Sequence, residues 1–316
     1  MKKTAICGVW HVHAGGYTNE AKKLTEVLGV WDADEQRKLE FCKEFDLPAF
    51  DTLDDLIASE AEAVIVCTAT DIHPEVMIKL ANAKKDIFTE KVLALTNEDA
   101  QAIAKAVEEN GVKFAISLVH RYASGPRTVK QVVDSGELGK INYIRVRNAH
   151  SGSVDGWLPK HFYSAKECGG GAMIDLGAHG MYLTDWIHGR PDTYKSVFTN
   201  SCTNEATNAK NEDGVEDNAI TLMGYKDGCI ALNETGFVSS CYPLTVEVGG
   251  ELGFVRSSDG EVIKATKATG GEIVAVEALE AQPEPLEQFL TDNVLEGCGM
   301  AEALTLTYMM VEAYRP

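Results

Sequence analysis

The chain has 316 residues, of which 45% are hydrophobic and 24% are charged, and its formal net charge at pH 7 is −19. This is the composition of a globular protein long enough for two domains, and the acidic balance argues against nucleic acid and anionic membranes as partners. No apolar stretch approaches the ~18 residues of a membrane helix, and residues 1–8 predict a strand rather than a signal peptide. The eight cysteines form no Cys-x-x-Cys pair, which favours a reducing cytoplasm.

Strand and helix signals alternate over the first ~120 residues, which predicts a parallel sheet covered by helices. The expected strands are 3–7, 25–31, 63–67, 86–89 and 112–118. The expected helices are one that ends near residue 24, then 35–45, 54–59, 74–83 and 97–110, the last of which Gly111 stops. We therefore predict a first domain, residues 1–119, with a doubly wound parallel sheet.

Strands dominate after His120, and they alternate apolar and polar residues as a one-sided antiparallel sheet requires. The expected strands are 141–148, 193–199, 218–225, 229–235 and 244–248. The expected helices are 125–135, a segment that carries Asp175 and His179, 284–295 and 301–314, and residues 200–213 are expected to form a loop. Residues 120–316 thus predict an α+β domain with a large, mainly antiparallel open sheet.

The turn after the first strand, Gly8 to His13, is a candidate dinucleotide site of the Rossmann type. A full G-x-G-x-x-G pattern needs glycine at positions 10 and 13, where this chain has Trp10 and His13. Because those glycines let backbone amides approach a pyrophosphate, their absence implies an altered phosphate site. An ordinary strand–helix turn remains an equal alternative.

Asp32 strengthens the case for a dinucleotide. It ends the second strand about 20 residues beyond the glycine turn, where a carboxylate accepts hydrogen bonds from the ribose hydroxyls. The residues that follow, Ala33 to Glu35, supply no cation for a 2′-phosphate, so we predict NAD, with NADP less favoured. The alternative is a helix N-cap, a part that Asp32 or Asp34 could play.

His11 and His13 have the spacing of two metal ligands on a strand, but no third ligand is evident near them. We therefore predict no metal, and expect these side chains to line the cofactor pocket.

Three further residues fit the oxidation of a hydroxyl group. Lys91 follows a strand of the parallel sheet and should lie at its carboxyl edge, where ligands bind; the alternative is a surface lysine. Asp175 and His179 lie four residues apart, so they should share one helix face. The preceding run, Gly169 to Gly171, predicts close approach of a ligand or cofactor to the backbone, and the alternative is a capped surface helix.

Taken together, these segments resemble the Gfo/Idh/MocA family (glucose-fructose oxidoreductase, inositol dehydrogenase, MocA) over nearly the whole chain. The segments that carry the resemblance are Glu90-Lys91-Val92, 68–73, 121–126, 135–141, 169–179 and 301–315. The chain departs from the family pattern at Val92 and Ala69, which replace prolines, and at Trp10 and His13, which replace glycines.

The resemblance implies an oxidoreductase that transfers hydride between NAD and a secondary alcohol of a sugar, inositol or related polyol. It implies that His179 is the general base, that Asp175 binds the substrate or orients the base, and that Lys91 donates to the reacting oxygen. Expected cofactor-binding residues are Gly8, Trp10, His11, Val12, Asp32, Thr68, Ala69, His73, Glu90 and Lys91. Expected substrate-binding residues are Lys91, Arg121, Trp157, His161, Tyr163, Asp175 and His179.

The resemblance also implies a homodimer or homotetramer that pairs through the open sheet of the second domain. Two alternatives to a simple dehydrogenase remain open. One is an enzyme that retains its NAD and uses transient oxidation to cleave or epimerise a glycoside. The other is a ligand-sensing protein that has kept the fold without the chemistry.

Overall fold

The computed structural model describes residues 1–242, 244–291 and 296–315, and the chain forms two compact units. The first unit contains Met1–Ser117 and Pro283–Thr307, and the second contains Leu118–Gln282 and the segment that starts at Tyr308. The sequence predicts a single boundary after residue 119. The structure differs because the chain returns to the first unit at Pro283.

The first unit contains a five-stranded parallel sheet in the order β2-β1-β3-β4-β5. Its strands are β1 (Lys3–Cys7), β2 (Glu26–Trp31), β3 (Ala63–Val66), β4 (Asp86–Thr89) and β5 (Phe114–Ile116). β3 is buried along its whole length, as a strand covered on both faces must be. Because the strands are parallel, their carboxyl ends share one edge of the sheet. The predicted doubly wound sheet is confirmed.

Five helices connect these strands, and local signals set their ends. They are α1 (Ala14–Leu24), α2 (Glu35–Phe45), α3 (Leu53–Ala58), α4 (His73–Asn82) and α5 (Asn97–Asn110). The side chains of Asp34, Thr52 and Thr96 each accept a backbone hydrogen bond in the first turn of the helix that follows. Gly111 ends α5 with a φ of 62°, as predicted.

The second unit contains an eight-stranded sheet in the order β13-β12-β11-β10-β6-β9-β8-β7. Among the described residues its neighbouring strands are antiparallel except for the pair β6 and β9. Its strands are β6 (Ile141–Ala149), β7 (Thr193–Thr199), β8 (Asn218–Gly224), β9 (Ile230–Gly236), β10 (Thr245–Gly250), β11 (Gly253–Ser258), β12 (Glu261–Thr266) and β13 (Val274–Ala275). The large, mainly antiparallel sheet is confirmed, and β11 to β13 are additional to the predicted strands.

One face of this sheet is covered by helices. The helices of the second unit are α6 (Ser124–Asp134), α7 (Ala165–Cys168), α8 (Ala178–His188) and α9 (Glu205–Lys210). α6 packs on β10, β11 and β12, while α8 and the π-helical turn before it (Met173–Gly177) pack on β6 and β9. The prediction of a loop over residues 200–213 is wrong for Glu205–Lys210, which form α9. Asn204 caps this helix by accepting from the amides of Ala206 and Thr207.

The other face of the sheet presents apolar side chains to solvent. In β8 the residues alternate between buried and exposed, so Ala219, Thr221 and Met223 point inward while Ile220 and Leu222 point outward. The exposed apolar side chains on β7 to β9 include Val197, Ile220, Leu222 and Ile230, which are 66%, 42%, 50% and 53% exposed. Such a contiguous apolar surface is typical of a contact with another protein.

The chain returns to the first unit through α10 (Pro285–Leu290) and enters α11 (Met300–Ala313). α10 packs on α1 and β5, and Phe289 is fully buried with its ring 5.9 Å from that of Phe88. The predicted helix 284–295 ends at Leu290 and Thr291 is extended, while residues 292–295 lie outside the described residues. Across the described ranges, no helix has the length and apolarity needed to cross a membrane.

Candidate active site

The turn after β1 is held tightly against the end of β3. Gly8 has a φ of +86°, and a Cβ atom there would lie 2.6 Å from the Thr68 amide nitrogen, so only glycine fits. The amides of Trp10 and His11 both donate to the Cys67 carbonyl oxygen at 3.1 Å. Trp10 is buried and Val12 is exposed. The turn therefore has the tight glycine that a dinucleotide site needs, whereas the amides of Trp10 and His11 bond within the protein.

Asp32 lies at the end of β2 and is 4% exposed. Its carboxylate accepts from the Val9 amide at 2.6 Å and from the Asp34 amide at 2.7 Å. Arg37 donates to both carboxylate oxygens, at 2.6 and 3.2 Å. Residues 33–35 supply no cation, as the sequence indicates, but α2 starts at Glu35 and its first turn brings Arg37 back to the carboxylate.

The segment after β3 contains Thr68, Ala69 and His73, all of which are buried. The His73 ring lies between two backbone carbonyl oxygens, with Nδ1 3.1 Å from that of Leu93 and Nε2 3.3 Å from that of Thr68. Its side chain thereby ties the end of β3 to the segment that follows Lys91. Burial lowers the pKa of His73 below its ordinary value of 6.5, against the opposing effect of these carbonyl groups.

This lowered pKa of His73 predicts a loss of stability in acid. The unfolded chain takes up a proton near pH 6.5 and the folded chain does so only at lower pH, so acid favours unfolding. We expect the thermal unfolding midpoint to fall as the pH drops below about 6.5, and to fall less in His73→Gln. Equal pH dependence of the two proteins between pH 7.5 and 5.5, measured by circular dichroism, would contradict this assignment.

Glu90 and Lys91 follow β4 and are 2% and 6% exposed, so Lys91 is not a surface lysine. The peptide bond between Lys91 and Val92 is cis. The Lys91 amide donates to Glu90 Oε2 at 3.0 Å, and the Tyr17 hydroxyl donates to Glu90 Oε1. The predicted position of Lys91 beyond the carboxyl end of a parallel strand is confirmed.

The Glu90 carboxylate also faces two histidines of the β1–α1 turn. Its Oε1 atom lies 2.8 Å from His13 Nδ1 and 3.9 Å from His11 Nδ1. Burial alone would raise the pKa of Glu90, but His11, His13 and Lys91 outweigh it and hold the pKa well below the usual range. Glu90 is therefore an ionised carboxylate inside the first unit.

In the second unit, the glycine run before Asp175 is packed against the chain itself. A Cβ atom on Gly170 would overlap the Tyr314 hydroxyl, and one on Gly171 would overlap the Glu216 carbonyl oxygen. The Glu216 carboxylate accepts from the Gly171 amide at 3.0 Å, from the Met173 amide at 2.9 Å and from the Tyr314 hydroxyl at 2.6 Å. The close approach that the glycines predict is thus made by Glu216 and Tyr314.

This glycine run leads into the π-helical turn that contains Asp175, and His179 lies in the first turn of α8. Such turns are frequent at functional sites. His179 is 5% exposed, and its Nδ1 atom lies 2.9 Å from the Tyr182 hydroxyl, which also accepts from the His120 amide at 3.1 Å. Tyr182 thereby fixes the imidazole through its Nδ1 atom.

The remaining residues expected to bind substrate all lie in the second unit. The Arg121 guanidinium lies 5.2 Å from the centre of the Trp186 ring. Trp157 is 53% exposed and its ring packs on His150, whereas the Tyr163 hydroxyl is buried and lies 2.9 Å from Ser153 Oγ. His161 is partly buried beside Phe162.

Two family models match most of this chain. Residues 2–118 match the model of the oxidoreductase family with an NAD-binding Rossmann fold, and residues 127–256 match the C-terminal domain of the same Gfo/Idh/MocA family. The chain belongs to the Gfo/Idh/MocA family. Its first unit is accordingly an NAD-binding Rossmann domain.

Relatives within the Gfo/Idh/MocA family include dehydrogenases of cyclic polyols. The chain is 26% identical over 235 residues to scyllo-inositol 2-dehydrogenase (NAD(+)) of Bacillus subtilis, a match that covers 72% of this chain and 66% of the relative. It is 32% identical over 158 residues to inositol 2-dehydrogenase of Salmonella paratyphi B, covering 48% of this chain and 47% of the relative. The chain thus spans less than two thirds of the length of each.

A solved structure confirms the fold over nearly the whole chain. Aldose-aldose oxidoreductase of Caulobacter crescentus superposes with a TM-score of 0.81 at 17% identity, and the match covers 99% of this chain and 96% of that one.

Within this Gfo/Idh/MocA architecture, the structure brings Gly8, Thr68 and Asp32 together around one turn and gathers His11 and His13 at Glu90. Asp175 lies in the π-helical turn and His179 in the helix that continues from it, both in the second unit. Arg121 also belongs to the second unit, whereas Lys91 belongs to the first. Sequence reasoning missed Arg37, which the first turn of α2 brings to Asp32. It also missed Glu216 and Tyr314, which reach the glycine run only through long-range contacts. It also missed Tyr182, whose position three residues after His179 places both on one helix face.

Proposed function

We propose that the protein is an NAD-dependent dehydrogenase that transfers hydride between a secondary alcohol of a sugar, inositol or related polyol and nicotinamide. The observation that carries this proposal is the buried His179, whose Nδ1 is held by Tyr182. The substrate class is supported by the names of the scyllo-inositol and inositol dehydrogenases among its relatives.

The cofactor-binding residues of this proposal fit a dinucleotide at two points. Gly8 keeps the β1–α1 turn free of a side chain, and Asp32 places a carboxylate at the end of β2 for the ribose hydroxyls. A bound nicotinamide would supply the hydride acceptor at its C4 atom. We assign the remaining cofactor contacts to Trp10, His11, Val12, Thr68, Ala69, His73, Glu90 and Lys91.

His179 has the proton-transfer role in this scheme. Nδ1–H donates to the Tyr182 hydroxyl oxygen, which has a second lone pair for the His120 amide. Nε2 then takes the proton of the substrate hydroxyl as hydride leaves the carbon that carries this hydroxyl. Tyr182 stabilises the imidazolium by holding its other N–H, as the third member of a catalytic triad does.

The other two groups stabilise charge and position the substrate. The Lys91 ammonium donates to the reacting oxygen and stabilises its alkoxide character. Asp175 accepts a hydrogen bond from a neighbouring hydroxyl of the polyol or orients the base. Arg121, Trp157, His161 and Tyr163 complete the proposed substrate-binding set, in which the buried Tyr163 acts by supporting Ser153.

The test of this proposal is calorimetric titration of cofactor-stripped protein with NAD and NADP, followed by a polyol panel assayed for NADH formation. We expect tight NAD binding, weaker NADP binding because a 2′-phosphate lacks the hydroxyl that would donate to Asp32, and net NADH formation with at least one polyol. Asp32→Ala should weaken NAD binding by about 10–100-fold, since hydrogen bonds to a charged group contribute about 1.5–3 kcal/mol.

The neighbouring acid provides the control for this titration. Asp34 caps α2 through the Arg37 amide, so Asp34→Ala should lower helix stability without changing the preference for NAD over NADP. Binding of neither dinucleotide would favour the non-catalytic alternative, in which Trp10 and His13 close the phosphate site. Turnover without net NADH, with NAD retained on the protein, would favour glycoside cleavage or epimerisation.

We further propose a homodimer or homotetramer in the cytoplasm. The support for self-association is the exposed apolar face that β7, β8 and β9 form with Val197, Ile220, Leu222 and Ile230. The support for a reducing compartment is that none of the eight cysteines, all within the described residues, forms a disulfide.

A further inference from the structure

Two histidines and a glutamate converge in the first unit outside the residues that carry the proposed proton chemistry. Nitrogen atoms of His11 and His13 and a carboxylate oxygen of Glu90 all lie within 4.8 Å of one another. The sequence predicts no metal because no third ligand lies near the histidines. Glu90 is that third ligand, brought from 77 positions beyond His13 by the parallel pairing that places β4 beside β3.

One nitrogen of this cluster presents a lone pair to it. The His13 amide donates to His11 Nδ1 at 3.3 Å, so this nitrogen is unprotonated. It faces Glu90 Oε1 at 3.9 Å. An ion at ~2.1 Å from each atom spans this distance.

We propose that His11, His13 and Glu90 bind one divalent transition-metal ion, with Zn²⁺ as the best fit. Two imidazoles and a carboxylate form a three-ligand set that zinc accepts, with a fourth position left open. Tetrahedral zinc needs ~3.4 Å between ligand atoms, whereas His13 Nδ1 and Glu90 Oε1 are 2.8 Å apart. The His13 side chain is 49% exposed, so it has room to move by this difference.

The surroundings of the cluster support its role as a metal site. Glu90 Oε2 accepts from the Lys91 amide, and the Tyr17 hydroxyl bonds to Oε1 and lies 2.6 Å from Ser117 Oγ. These contacts orient the carboxylate in the way that outer partners orient metal ligands. The ring of the half-exposed His13 lies 4.7 Å from that of His11, so one ligand of the cluster is open to solvent.

The test measures metal binding directly and does not depend on dehydrogenase activity. Untagged protein, stripped of metal and dinucleotide, is titrated with Zn²⁺ against a chromogenic chelator and, separately, with Co²⁺ for its visible absorption. We expect one equivalent of Zn²⁺ per chain and a tetrahedral Co²⁺ spectrum. His13→Ala and Glu90→Gln should each weaken Zn²⁺ binding by more than ~10-fold, because loss of a direct ligand exceeds the effect of an outer partner.

His188→Ala is the matched control, since His188 belongs to the second unit and bonds to Asp227. It should retain full Zn²⁺ affinity. His13→Asn repeats the test with a smaller polar change, and circular dichroism verifies the fold of each variant. Equal Zn²⁺ affinity in His13→Ala and His188→Ala, or no binding at micromolar Zn²⁺, would overturn the proposal.

Discussion

Replacement of His179 by alanine is expected to lower kcat by about 10²–10⁴-fold and to leave the affinity for NAD unchanged. The imidazole is buried, with Nδ1 bound to Tyr182, so the variant loses the proton acceptor and keeps the Rossmann domain intact. The measurement is steady-state NADH formation with the best polyol, together with calorimetric NAD binding.

The control for this variant lies at the other end of the same helix. His188→Ala removes an imidazole that bonds to Asp227 at 3.0 Å, and it should keep kcat within a factor of about two because surface substitutions typically change stability by less than ~0.5 kcal/mol. An unchanged kcat in His179→Ala, with the fold verified, would remove this residue from the mechanism.

Replacement of Gly171 by alanine is expected to destabilise the second unit by about 3 kcal/mol or more, since overpacking typically costs ~1–3 kcal/mol and here the obstacle is backbone. The new Cβ would overlap the Glu216 carbonyl oxygen, which bonds to the Ala172 amide at 2.8 Å. Relief of the overlap must displace the segment that leads to Asp175 and His179. We therefore expect a lower thermal midpoint together with a loss of turnover.

Gly249→Ala is the matched control within the same unit. A Cβ at Gly249 meets its nearest atom, the Tyr143 Cβ, at the ordinary contact distance of 3.6 Å. This variant should keep both its thermal midpoint and its turnover. Equal stability of the two variants in thermal and urea unfolding would show that the segment around Gly171 relaxes freely.

The sequence predicts the first unit well because its signals are local. The run Ala63–Val66 is apolar at every position, as a strand buried on both faces must be, and the amphipathic pattern that ends at Gly111 defines α5. The position of Lys91 follows directly from these strand assignments, because a residue just beyond a parallel strand lies at the ligand-binding edge of the sheet. Strand period and helix caps therefore suffice to place these elements.

Three elements, β11, β12 and α9, were not predicted although local signals for them are present. Asp259 and Gly260 form the two-residue turn between β11 and β12, with φ angles of 52° and 79°. The Asp-Gly pair is a strong hairpin signal, and it predicts both strands. Asn204 followed by Glu205 likewise indicates the start of α9.

Other parts of the site depend on contacts between distant residues and carry no local signal. Glu216 and Tyr314 hold the glycine run from 45 and 140 residues away, as counted from Gly171 and Ile174. The third ligand at His11 and His13 is Glu90, which only the order of strands in the sheet brings near. A single sequence gives no measure of which such pairs meet.

The discontinuity of the first unit has a consequence for synthesis on the ribosome. β1 to β5 emerge early, but Phe289, which packs against Phe88, and Cys298, whose carbonyl oxygen accepts from the Ile116 amide, are made after the whole of residues 118–282. Domains otherwise fold in order from the N-terminus. Tyr314, which contacts the segment of the glycine run in the second unit, is also synthesised after residue 282. Translation that stops before residue 283 therefore leaves both units unfinished, and one short final segment completes the two together.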